Sequence, residues 1–119
     1  MDLDVFFTGR ELSRRLFETV RAAVEEAGPA EMRISKSQIA FRRRRGFAWV
    51  WLPAMYLRRS NTAPLVLSLA LPCHDPSPRW KQIVEPAPGR YMHHLEIYAT
   101  DEIDDQVRMW LKQAWESAG

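Results

Sequence analysis

Residues 64–72 read PLVLSLALP, seven positions that are apolar apart from one serine, with a proline at each end. A run of this length is a strand rather than a helix, and it is far too short to span a bilayer. A strand with no polar alternation needs paired neighbours and cover on both faces. The rest of the chain must therefore supply a sheet around it and a layer to lie on it.

The flanking sequence supplies both. Thr8-Gly9-Arg10-Glu11 fits a capping box, and Leu12, Leu16, Val20, Ala23, Val24 and Ala27 recur at helical spacing up to Gly28-Pro29. Residues 31–35, 39–43 and 47–52 read as strands, with Arg44-Arg45-Gly46 as a tight turn between the last two. Strict alternation from Phe47 puts Phe47, Trp49 and Trp51 on one face, toward the helices, and Ala48 and Val50 on the other. Residues 53–63 form a connector. Residues 72–90 contain five prolines and read as a long loop with a short helical turn over 80–84. Residues 91–98 are the last strand. Thr100 or Asp101 then caps a helix striped by Ile103, Val107, Trp110, Leu111 and Ala114.

The predicted fold is a single α+β domain over residues 1–119. It is a two-layer sandwich, with an antiparallel sheet of four to five strands and the N- and C-terminal helices on one face. The open face is expected to carry Arg42, Ala48, Val50, Val66, Ser68, Ala70, Met92, His94 and Glu96.

Charge is distributed unevenly. Residues 32–74 hold eight Arg or Lys and no acid, whereas residues 1–31 and 75–119 each carry a net charge of −3. Four consecutive arginines, 42–45, sit inside the basic segment. That asymmetry points toward anionic partners. The lone Cys73 excludes an intrachain disulfide and any Cys-rich zinc module. With Asp2 and Asp4 at the start in place of a basic, apolar leader, the expected location is cytoplasmic, with no membrane association.

Candidate chemistry is sparse. His93-His94 point to opposite faces of a strand and cannot easily chelate together, and Cys73, His74 and Asp75 lack the spacing of a zinc site. No catalytic residue, metal or cofactor is assigned. The arginine run suits phosphate oxygens, and an aromatic beside it suits a base. Trp80 stands in the Pro-rich segment between Arg79 and Lys81. If the sheet is a meander, Lys36, Ser37, Gln38, Arg42 and Arg44 approach His94 and the Arg79–Trp80 segment. They would form an electropositive trough for a carboxylate, a phosphate or an acidic peptide.

The segments Lys36-Ser37-Gln38-Ile39-Ala40-Phe41, PLVLSLALP and YMHHLEIY, with the closing acidic helix, resemble a small bacterial family known as a domain of unknown function. Its members stand alone or follow proteins of predicted transport or restriction-related type. The resemblance runs over roughly residues 6–116 and implies the helix–sheet–helix layout. It carries no activity onto any residue.

The functional expectation is a binding or interaction domain with a basic surface, monomer or homodimer, recognising a small anion or an acidic protein. A nucleic-acid-associated accessory domain is the second reading. An enzyme acting on a small anionic substrate is the third.

Overall fold

A computed structural model describes residues 1–55 and 62–119. The connector expected over 53–63 falls partly on residues 56–61, outside the described residues, as does the arginine pair 58–59.

Six strands form one antiparallel sheet: β1 (Glu31–Ile34), β2 (Ile39–Arg42), β3 (Gly46–Trp51), β4 (Leu65–Leu71), β5 (Gln82–Ala87) and β6 (Arg90–Ile97). Their order is β1-β2-β3-β4-β6-β5. The apolar strand β4 is central, between β3 and β6, as its composition requires. Its Leu65, Leu67, Leu69 and Leu71 join the core beneath α2 (Glu11–Ala27) and α3 (Asp105–Ser117). The α+β sandwich with both long helices on one face is therefore present. No helix among the described residues is long and apolar enough to cross a membrane.

The strand count is six rather than four to five, and the added one lies in the Pro-rich segment. Where a helical turn was expected over 80–84, β5 begins at Gln82. It is an exposed edge strand whose register shifts between Val84 and Ala87, on either side of Pro86. An edge tolerates a proline because no partner needs its missing N–H.

The helix ends also differ from expectation. A short helix, α1 (Leu3–Phe6), precedes α2 and is capped by the Asp2 side chain. Thr8 forms no capping box: its hydroxyl donates to the Asp4 carbonyl, and Arg10 stands at the N-cap of α2 without a side-chain bond. Ser13 and Phe17 are buried with the apolar stripe, while Leu12 is 44% exposed. Asp104, not Thr100 or Asp101, caps α3, accepting from the Val107 amide at 3.1 Å. The two earlier residues open a separate 3-10 turn, Thr100–Glu102.

The largest departure is in β3. Arg42 pairs with Gly46 and Phe41 with Ala48, so Phe47 has no partner on β2. This β-bulge inserts one residue and resets the alternation. Phe47, Ala48 and Val50 all join the core, and Trp49 and Trp51 fall on the face away from the helices. Two residues expected in the core thus become the aromatic part of the open face, and Ala48 and Val50 move the other way.

The arginine hairpin has a structural duty too. Arg43 donates from Nη1 to the Trp115 carbonyl (3.2 Å) and lies over the Trp115 ring, 3.6 Å from its centroid. Arg45 donates from Nη2 to the Ser117 carbonyl (2.6 Å), and the amides of Arg44 and Arg45 both donate to the Ala118 carbonyl. The hairpin thereby closes the C-terminal end of α3, where carbonyls lack intrahelical partners and the dipole is negative. Trp115 is held on its other side by Gly28, where a Cβ would overlap its ring, and its indole donates to the Pro29 carbonyl at 2.9 Å. Arg43→Ala removes a helix-end charge and a cation–π contact, and is expected to cost about 1–2 kcal/mol in urea denaturation. Arg44→Ala, whose contribution here is a backbone amide, should cost far less.

Candidate functional site

The open face is built in rows across the sheet. Ala40, Trp49, Ser68, His94 and Gln82 are successive register partners from β2 to β5. One row toward β6's start lie Ala70, Met92 and Val84. One row the other way lie Trp51, Val66 and Glu96.

At the centre, the Trp51 indole donates to Ser68 Oγ (3.2 Å), and Ser68 Oγ lies 2.6 Å from His94 Nδ1. An indole N–H can only donate, so Ser68 accepts from Trp51; with a hydrogen and a second lone pair left, the hydroxyl either donates to His94 Nδ1 or accepts from it, according to the imidazole tautomer. In either neutral tautomer His94 Nδ1 is engaged by Ser68, and Nε2 makes no hydrogen bond among the described residues. Burial, then the neighbouring His93, holds its pKa below the ordinary imidazole range, which favours the neutral form. Ser68 is 3% exposed. A serine this enclosed and bonded on both sides holds the ring of His94 in place; it does not present a nucleophile. The polar group offered to a ligand is His94 Nε2.

At the end of the sheet, a cleft of about 270 Å³ opens between the arginine hairpin, the β5–β6 turn and the last turn of α3. Arg45, Gly46, Ala70, Pro88, Gly89 and Arg90 are among its lining residues. Arg90 reaches over Trp49, 5.9 Å from the ring centroid. Trp49 in turn leans on Gly46, where a Cβ would stand 2.7 Å from the indole Cζ2. Cleft and open face are therefore continuous through Arg90, Gly46 and Trp49. Among the described residues, none of Arg42, Arg43, Arg44, Arg45 and Arg90 is paired with a carboxylate, whereas Arg14, Arg21, Arg33, Arg79 and Arg108 each are.

The residues predicted for a single trough are distributed over three places. Lys36, Ser37 and Gln38 form the exposed β1–β2 turn, in which Ser35 Oγ accepts from the amides of Ser37 and Gln38. That turn lies at the opposite end of β2 from Arg44. Arg42 shares the open face with His94 and donates weakly to the Arg44 carbonyl (3.4 Å). Arg79 and Trp80 lie on the helix side. Arg79 Nη1 meets both Asp104 carboxylate oxygens at 3.0 Å and Gln106 at 2.9 Å, and Nη2 meets the Glu102 carbonyl at 2.9 Å. Trp80 is 8% exposed, 4.1 Å from Trp110 and 4.8 Å from His93 between ring centroids. Both residues fasten the Pro-rich segment to α3.

Trp49, Trp51, Ser68, Arg45 and Arg90 were not assigned from the sequence. The single serine in an otherwise apolar β4 is the one signal that could have pointed to Ser68. His93, on the helix side, accepts from the Asp75 amide at 3.0 Å, and among the described residues no group of His, Cys, Asp and Glu is placed to hold a metal.

The chain matches the model of a family described as a domain of unknown function (DUF5655) over residues 4–118, and it belongs to that family. No curated protein and no solved structure matches it.

Proposed function

We propose that this chain is a binding domain that recognises an anionic group, carried by a small ligand or by an acidic partner, at the basic end of its sheet. The observation that supports this most is that Arg45 and Arg90, neither in a salt bridge among the described residues, both line the cleft of about 270 Å³. Arg45 uses one of its five N–H groups on Ser117 and has others to spare. The Arg90 guanidinium lies over the Trp49 ring and makes no side-chain hydrogen bond or salt bridge among the described residues. A guanidinium with unused donors beside a concavity suits carboxylate or phosphate oxygens. The exposed thiol of Cys73 suits a reducing compartment and supports a cytoplasmic location.

Pyrophosphate serves as the probe. A ligand that binds only the folded state adds about 2.7 kcal/mol of stability at a hundredfold excess over Kd. The melting temperature should rise with pyrophosphate at low salt and lose most of that rise at 0.2 M salt. Arg90→Gln should abolish the response, and Arg15→Gln, on the exposed side of α2, should keep it. An unchanged melting temperature at millimolar pyrophosphate and low salt would remove the proposal.

A further inference from the structure

We infer that the anionic group recognised at this end is the phosphate of a nucleotide unit whose base stacks on Trp49. The inference rests on the anion-binding reading above and adds the ligand class.

Three kinds of chemistry meet on one face. The first is charge, from Arg90 and Arg45 at the cleft. The second is a flat aromatic surface. Trp49 is half-buried, stands outside the core, and is fixed in orientation by the missing side chain of Gly46. The third is hydrogen bonding. Along the row from Trp49, His94 stands two strand spacings or about 10 Å away and offers its Nε2, and Gln82 stands three spacings or about 14 Å away with an exposed amide that has donors and an acceptor.

Inorganic phosphate or an acidic peptide would use only the first of these. A nucleotide uses all three: phosphate on a guanidinium, base on the indole, base edge on the amide and imidazole. Charge also sets the direction. Arg90 and Arg42 flank the hairpin end, and Glu96 lies two residues beyond His94 on the same strand, away from Arg90. Two carboxylates stand at the hairpin end as well, Glu31 as the register partner of Arg42 and Glu85 accepting from the Gly89 amide, so the pull on a phosphate comes from the excess of guanidinium groups there.

The nucleotide can come from two sources, a free mononucleotide or a single strand. A duplex would not fit, because its bases are stacked on each other and unavailable to an indole.

The experiment uses the whole chain at low salt. Binding of pyrophosphate, nucleoside monophosphates and phosphotyrosine is followed by thermal shift. Binding of fluorescein-labelled twelve-residue single strands and the matching duplex is followed by anisotropy. A mononucleotide or a single strand should bind about tenfold or more tightly than pyrophosphate, the size of one base–aromatic stack. Trp49→Leu should erase that excess and leave pyrophosphate binding intact. Trp49→Phe should keep part of it, which guards against a folding artefact. Arg90→Gln should remove both.

If mononucleotides bind as well as strands, the ligand is free; if only strands gain, it is a polymer. Nucleotides binding no better than pyrophosphate, phosphotyrosine binding better than both, or a duplex matching the single strand would each overturn the inference while leaving the anion site in place. Loss of pyrophosphate binding as well would remove both readings.

Discussion

Replacing Asp75 with Ala is expected to cost this fold roughly 2–6 kcal/mol, because two buried indoles lose an acceptor at about 1–3 kcal/mol each. The Asp75 carboxylate accepts from Trp80 Nε1 at 3.1 Å, Trp110 Nε1 at 3.2 Å and the Ser77 amide at 2.9 Å. Neither indole has another use for its N–H, since a tryptophan nitrogen cannot accept. The same residue's amide donates to His93 Nε2, and His93 Nδ1–H donates to the Tyr91 carbonyl at 3.0 Å, which keeps His93 neutral within the core. The Pro-rich segment is thus nailed to α3 through the Asp75 carboxylate and to β6 through the Asp75 amide.

The pH dependence follows from the same contacts. Burial pushes the Asp75 carboxyl up, but the bonds from Ser77, Trp80 and Trp110, with His93 nearby, together outweigh it and hold the pKa below the usual 3.8. Its stabilisation is therefore complete above pH 3.8 and is lost as pH falls through the folded value. Burial likewise lowers His93 and His94 from 6.5. In the unfolded chain both protonate near 6.5, so the unfolded state binds more protons below that point and stability declines as pH drops. Urea midpoints should be flat above about pH 7, fall below 6.5, and fall again below about 4. Asp75→Asn should weaken the second fall and keep the first. A variant as stable as the parent at pH 7 would show that the two tryptophans do not depend on this carboxylate.

The sequence carried the layering of this protein because layering is written in apolar pattern. The stripe of α3 is buried at Val107, Trp110, Leu111 and Ala114, as its spacing implies. The run of leucines in β4 could pack only as a central strand. What could not be read were features set by single local events. Strand β5 was hidden because proline reads as loop, and only an exposed edge position makes it compatible with a sheet. Trp80 and Arg79 looked available beside a loop. Their partners Asp104 and Trp110 lie more than twenty residues on, and nothing local announces that pairing. The arginine run read as a phosphate-seeking tip. Two of its three side-chain hydrogen bonds go to carbonyls at the end of α3, a partner that carries no sequence signature at all. Arg90 and Trp49, the pair at the heart of the proposed site, are far apart in sequence and meet through the β3–β4–β6 pairing.

Phe47→Ala is expected to destabilise by about 3–5 kcal/mol, the range for truncating a buried aromatic, while Trp49→Ala costs clearly less. The order is informative because side-chain size alone argues the opposite: tryptophan is larger, and on an unbroken strand Phe47 and Trp49 would share one face and one degree of burial. The bulge separates them. Phe47 is fully enclosed among the core residues, whereas Trp49 rests on Gly46 and keeps part of its ring outside the core. The bulge exists because Gly46 pairs with Arg42 and Ala48 with Phe41, which leaves Phe47 as the extra residue and reverses everything after it. Urea denaturation of the two variants with unchanged slopes would measure the difference directly. A larger loss for Trp49→Ala than for Phe47→Ala would mean that the alternation continues unbroken. It would turn both tryptophans inward, bring Ala48 and Val50 out, and strip the open face of the aromatic surface on which nucleotide recognition depends.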